Sequence, residues 1–228
     1  SFRSDTRLHG IAPLKKTGGE LSFIGSPDLC DYMDFVVRKG YEEEFYQKLV
    51  DHLLTLDWST LYLSSVPDHS LTYSHLPRLL AEHGLDVDVL PEEVCPIAQL
   101  PSTWEEYLNG LRKKDRHELK RKFRRLYSSV DVSYYVTQDY QTFSNDLDDF
   151  LSLAVESRAD KAQFMTPAIR EFFHSALPQM ASEGYLKLAF LEVDRKRVAA
   201  ALCFDYGRSF LLYNSGYDVQ YSGLSVGL

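Results

Sequence analysis

Residues 185–228 read YLKLAFLEVDRKRVAAALCFDYGRSFLLYNSGYDVQYSGLSVGL, and this stretch decides the fold. It contains three apolar and aromatic runs, Tyr185–Val193, Val198–Tyr206 and Ser209–Tyr217. The segments between them, Asp194-Arg-Lys-Arg197 and Gly207-Arg208, are too short for a crossover, so the runs predict an antiparallel meander. A loop of small residues, Tyr221–Leu228, follows the last strand.

Upstream of the meander, Thr166-Pro167 is a cap residue followed by proline at the first helical position, and it opens a helix that closes near Gly184. Pro178 is expected to bend or divide that helix. Thr142–Arg158 predicts another helix, with Phe143, Leu147, Phe150, Leu151 and Ala154 facing inward. Val130–Thr137 is strand-like. Trp104–Tyr127 is helical with a break at Asn109-Gly110, and Leu111, Leu119, Phe123 and Leu126 supply its apolar stripe. Ser102-Thr-Trp-Glu105 has the spacing of a capping box. The second half thus runs helix, then β-α-α-β-β-β, then the loop.

A boundary falls at Pro96–Ser102. The first half has short alternating elements: strands at Leu21–Gly25, Tyr32–Val37, Thr60–Val66, Asp86–Leu90 and Ile97–Leu100, and helices at Tyr41–Leu56 and His75–His83. The predicted fold class is α/β with a mixed α+β sheet, in two units, 1–100 and 101–228.

The 228 residues carry 25 Lys+Arg against 33 Asp+Glu, a formal net charge of −8. Hydrophobic residues make up 44%, enough for a real core, which excludes a disordered chain. No apolar run reaches the roughly 20 residues of a membrane span, and Ser1–Thr17 lacks a signal-peptide core, so the expected location is cytoplasmic. Cys30, Cys95 and Cys203 are few and scattered, which argues against a disulfide scaffold and predicts buried free thiols. With no zinc spacing among Cys and His, no metal is expected. Asp28, Asp31 and Asp34 recur every third residue, but a strand-like run points them different ways. The charge is uneven: Arg112–Arg125 holds nine Lys/Arg and two acids, +7, which leaves −15 on the remainder.

Gln220-Tyr-Ser-Gly223-Leu-Ser225-Val-Gly227 is close to the Gln/Arg-x-x-Gly-x-Gly/Ala pattern of acyl-CoA-binding loops. Small residues let backbone N–H groups approach a pyrophosphate, and a following helix N-terminus favours the anion. A plain turn fits the same residues. The β-α-α-β-β-β order ahead of the loop is that of the GNAT acyltransferase fold, whose pyrophosphate loop stands at this place. Val198-Ala-Ala-Ala-Leu, Gly216-Tyr-Asp218 and Leu224-Ser-Val-Gly227 resemble the CelD/BcsL-type acetyltransferases associated with cellulose biosynthesis. So do Leu100-Pro-Ser-Thr-Trp-Glu-Glu-Tyr-Leu, Leu111-Arg-Lys-Lys-Asp-Arg116 and Arg121-Lys-Phe-Arg-Arg-Leu126. Ala12-Pro-Leu14, Asp31-Tyr-Met-Asp-Phe35 and Val66-Pro-Asp-His-Ser70 extend the resemblance over nearly the whole chain. That family is related to FemAB-type peptidyltransferases, which have two tandem GNAT-like units. The resemblance implies the later elements of a first unit in 1–100, and in 101–228 the early elements of a second, truncated after its loop.

The resemblance also implies acyl transfer from acetyl-CoA or another acyl-CoA to an amine or hydroxyl, with no metal and a small-molecule or cell-envelope saccharide acceptor. The loop residues Gln220, Tyr221, Gly223, Leu224, Ser225, Val226 and Gly227 would hold the cofactor. The acyl group would face Ser209–Tyr217, which makes Tyr213 and Asn214 the nearest catalytic candidates, with Asp205 on the neighbouring strand as a base. A sheet-packing aromatic and a hairpin-end carboxylate are the plainer readings of Tyr213 and Asp205. Asp218 either orients the loop or closes an Asx-turn. Arg158 and Lys161 lie between helices that would flank the acceptor; they hold an anionic acceptor or are solvated charges. The basic helix suits the phosphates of a donor tRNA, as FemAB relatives would need, or is a charged surface. A GNAT-like module that binds without catalysis is the non-enzymatic alternative.

Overall fold

The structure is a computed structural model that describes residues 1–4, 7–137 and 143–228. It divides into two compact units, Ser1–Gln99 and Leu100–Leu228.

In the first unit, β1 (Phe2–Ser4), β2 (Arg7–Ile11) and β5 (Val36–Val37) form one antiparallel sheet. β3 (Leu14–Thr17), β4 (Glu20–Phe23) and β6 (Thr60–Tyr62) form a second, with β4 and β6 parallel. The helices α1 (Glu42–Leu53) and α2 (Leu71–Glu82) pack on each other. Phe23, Phe35, Phe45, Tyr46, Val50 and Leu53 are central to the core they share with the strands. The second helix starts four residues before the predicted His75, because the Ser70 hydroxyl caps it by accepting from the Thr72 N–H at 2.9 Å. Expected strands at Asp86–Leu90 and Ile97–Leu100 are absent. Asp86–Leu90 alternates as a strand does, but among the described residues neither segment pairs with a strand, and Leu90, Val94 and Ile97 stay at least 80% exposed. The Glu92 carboxylate ties this stretch down by accepting from the Ser65 N–H (2.6 Å) and the Tyr62 hydroxyl (3.1 Å).

The second unit opens with α3 (Trp104–Gly110) and α4 (Lys113–Ser129), separated by the extended residues Leu111 and Arg112. The capping box lies one residue later than Ser102 and Glu105. Thr103 accepts from the Glu106 N–H at 3.1 Å, and the Glu106 carboxylate accepts from the Ser102 N–H at 3.1 Å. This register makes Trp104 the first helical residue and stacks its ring on Tyr107. Then come β7 (Val132–Val136), α5 (Phe143–Ser157), α6 (Ala159–Phe164), α7 (Pro167–Ser182), β8 (Leu186–Val193), β9 (Lys196–Tyr206) and β10 (Ser209–Tyr217). The expected start of the fifth helix at Thr142 lies outside the described residues. Pro178 sits inside α7 without dividing it.

The four strands form one antiparallel sheet in the order β10-β9-β8-β7. The β8–β9 turn is shorter than predicted: Val193 pairs with Lys196, so Asp194 and Arg195 alone make it. Both have positive φ, 51° and 67°, as a primed hairpin turn requires. Lys196 and Arg197 therefore belong to β9.

Leu147, Phe150, Leu151, Phe173, Leu188, Phe190 and Leu202 are almost fully buried. Arg197 ties α5 to the sheet through hydrogen bonds to Asp146 (2.6 Å), Asp149 (2.5 Å) and the Tyr135 hydroxyl (2.7 Å). Its guanidinium lies 4.2 Å from the Phe190 ring centroid. A smaller cluster joins Leu126 of α4 to Val193, Val198, Ala199 and Val226. Cys203 is buried as expected, but Cys95 is exposed, because the unpaired 86–100 stretch offers no core to enter.

At Gly216 the backbone of α5 touches β10. A Cβ there would stand 2.3 Å from the Ala154 nitrogen and 2.4 Å from the Leu153 carbonyl carbon. Backbone cannot yield as a flexible side chain does. Gly216→Ala should therefore cost about 3 kcal/mol in urea unfolding. Gly223→Ala, where the new methyl meets no atom within 4 Å, should leave stability unchanged.

Candidate functional site

Strand β10 does not run in regular register along β9. Leu212 pairs with Cys203 and Asn214 with Leu202, so Tyr213 is an extra residue, a β-bulge. Regular alternation would send neighbouring residues to opposite faces. Here both Tyr213 and Asn214 reach the helices. The Tyr213 ring packs edge-on to Phe173 of α7 (6.2 Å) and Phe204 (5.5 Å). The Asn214 Oδ1 accepts from the Lys161 ammonium of α6 at 2.7 Å and from the Ser215 N–H at 2.8 Å. Lys161 also donates to the Ser215 carbonyl.

With Oδ1 taken twice, the amide N–H groups are the part of Asn214 left for a ligand. Burial holds the Lys161 ammonium below the ordinary lysine range, and the nearby Arg158 charge adds to this. The bulge therefore gathers an amide donor, a cation and a phenol at one point on the sheet.

Beyond β10 the chain makes a 3-10 helix, Val219–Leu224, where an open loop was expected. Asp218 caps it, accepting from the Gln220 N–H at 2.9 Å, and is held by Lys196 at 2.8 Å. Lys196 and that N–H keep the carboxyl below the usual range. Asp218 thus closes an Asx-turn at the start of this helix. Ser225 adopts a left-handed conformation, φ 62°, and Val226 is buried. Gly227 lies against Tyr217, whose ring a Cβ would approach to 2.6 Å. Gln220 and Gly223 are exposed, and Tyr221 and Leu224 pack against the Leu126 cluster. A cleft of about 200 Å³ is lined by Tyr217, Ser222, Ser225, Gly227 and Leu228, and by Lys122 of α4.

The remaining predicted residues are placed elsewhere. Asp205 is exposed at the β9–β10 turn, opposite Phe210; it stands three positions beyond Leu202, which is opposite Asn214, about 10 Å along the strand. Arg158 spends its planar fork on Asp160, at 3.0 and 2.7 Å, on the exposed start of α6. Among the described residues no group of three His, Cys, Asp or Glu could hold a metal, and no helix is long and apolar enough to cross a membrane.

The sequence reading gave Lys122 and Arg125 only as members of the basic helix, and both stand at this cleft. Arg125 donates to the Ser225 hydroxyl at 2.7 Å across a hundred positions of chain. Their spacing with Leu126 on one helical face was the available signal.

A family model described as Acetyltransferase (GNAT) domain matches residues 113–228. No curated protein matches the chain.

Lys161 should titrate below the roughly 10.4 of a free lysine when followed by NMR. Arg158→Gln should move it back upward. Because the folded state binds this proton less tightly than the unfolded chain, Lys161 contributes stability that rises with pH between the two values.

Proposed function

The chain belongs to the GNAT acetyltransferase family, and we propose that it moves an acetyl or other acyl group from acyl-CoA to an amine or hydroxyl. The observation that carries this reading is the bulge at Tyr213, which lies one short strand segment ahead of a loop of small residues. Tyr217, where that loop begins, stands about 10 Å beyond Asn214 along β10. A thioester can lie at the bulge while the phosphates rest on Ser222–Gly227.

In this reaction the lone pair of the acceptor attacks the thioester carbonyl carbon. The carbon–sulfur bond breaks, and the thiolate takes up a proton. The Asn214 amide N–H groups stabilise the carbonyl oxygen as it gains charge, and the Lys161 ammonium holds that side chain in place. The Tyr213 hydroxyl supplies the proton to the thiolate and is restored by the proton that the acceptor nitrogen or oxygen loses as its new bond to the acyl carbon forms. Arg158, its fork taken by Asp160, acts here only through its charge on Lys161, and Asp218 fixes the loop. Asp205 has no part at the bulge in this scheme. The acceptor favoured by the resemblance to CelD/BcsL-type enzymes is a cell-envelope saccharide or its precursor. The same reading takes 1–100 as part of a first GNAT-like unit.

A second reading, aminoacyl transfer from a charged tRNA, draws on α4. Beside its cations, Trp104, Phe123 and Tyr127 form an exposed file of rings with centroids 5.9 and 6.2 Å apart. Filter binding of charged tRNA across a salt series tests it.

Calorimetry should show acetyl-CoA binding, and absence of binding refutes the proposal. Gly223→Ala should weaken that binding while leaving stability alone. Asn214→Ala should lower kcat/KM about 100-fold, as expected for loss of an oxyanion donor, with a smaller change in affinity.

A further inference from the structure

We propose that α4 supplies the phosphate-binding half of the donor site, with Lys122 as the cation that receives the diphosphate of an acyl-CoA. This rests on the acyl-CoA reading above and extends the site to a helix about a hundred residues away in the chain.

Four observations converge. First, Lys122 lines the cleft against Ser222, Ser225 and Gly227, whose volume of about 200 Å³ suits a compact anion rather than a whole cofactor. No Asp or Glu lines that cleft. Second, Lys122 makes no hydrogen bond or ion pair among the described residues. By contrast, Arg112, which precedes the helix, and Arg121 within it are paired with Asp115 and Glu118 at 2.7 Å. Third, Arg125 reaches the cleft through Ser225, and its Nε is buried with no hydrogen-bond partner. A buried guanidinium N–H without an acceptor is costly, and an anionic oxygen is the acceptor it suits best. Fourth, the backbone at Gly223 is open, with no atom within 4 Å of where a Cβ would stand, so a ligand can approach the main chain.

The geometry gives each group a task. Lys122 offers a mobile point charge with three donors, suited to a phosphate oxygen whose position varies. Arg125 fixes the Ser225 hydroxyl and keeps positive charge beside it. Leu126, buried with Val226, holds helix and loop together so that the two halves of the cleft keep their spacing.

Calorimetric titration of the whole chain tests this with two probes, acetyl-CoA and S-acetylpantetheine, which has the same thioester arm and no phosphate. Lys122→Gln should weaken acetyl-CoA about tenfold and leave S-acetylpantetheine unchanged. Lys122→Arg should stay close to the parent. Arg124→Gln removes an exposed charge from the same helix and should have little effect. Circular dichroism melts confirm folding, with Lys122→Met as a second variant should Lys122→Gln fold poorly. The proposal is overturned if Lys122→Gln binds acetyl-CoA as the parent does. It is equally overturned if Arg124→Gln weakens binding as much, or if S-acetylpantetheine is weakened in step. Should the parent bind no acetyl-CoA, the acyl-CoA reading itself falls and this site falls with it, an outcome separate from parent binding that ignores Lys122.

Discussion

The backbone of α5 rests on β10 with nothing between them but the hydrogen of Gly216. Its glycine is required by space, since only φ values in the left-handed region favour glycine for conformation, and Gly216 has none. The contact fixes the height at which α5 ends. From there the chain turns through Arg158 into α6, so Lys161 arrives beside Asn214 and Ser215, two and one residues ahead of Gly216. At its other end α5 is held by Asp146 and Asp149 on Arg197. A helix pinned at both ends cannot slide, and Lys161, on the helix that follows it, inherits that precision.

Much of this was legible in the sequence. The meander was visible because two tight connections leave no room for a crossover, and Ser209–Tyr217 was placed to the residue. The inward face of α5 followed from its 3.6-residue period, and Phe143, Leu147, Phe150, Leu151 and Ala154 are all buried. Tyr213 and Asn214 were singled out from their place on the last strand. The bulge that turns both to the helices was hidden, because a bulge is a property of two strands in register. The Lys161–Asn214 bond was hidden for the same reason. Asp86–Leu90 misled, since alternation signals a strand only where an edge exists to receive it.

Charge illustrates the same limit from another side. The sequence shows +7 concentrated in Arg112–Arg125 and invites a search for a polyanion. Folding divides that charge. Two arginines are neutralised by acids one turn away, others face solvent, and Lys122 and Arg125 turn toward the loop after β10. Composition counts cations; only packing says which of them share a ligand.

The two-residue turn at Asp194–Arg195 bears on how the sheet assembles. The β8–β9 and β9–β10 pairs each close over two residues, a step of microseconds for a hairpin. β7 must instead find β8 across about fifty residues that include three helices, and loop-closure entropy makes that pairing the later event. The strands that carry the bulge are thus paired before the helices that complete it dock. Asp194 and Arg195 hold left-handed conformations without glycine, so the tightest connection of the sheet carries a backbone cost of about 1 kcal/mol or more that the paired strands on either side must offset.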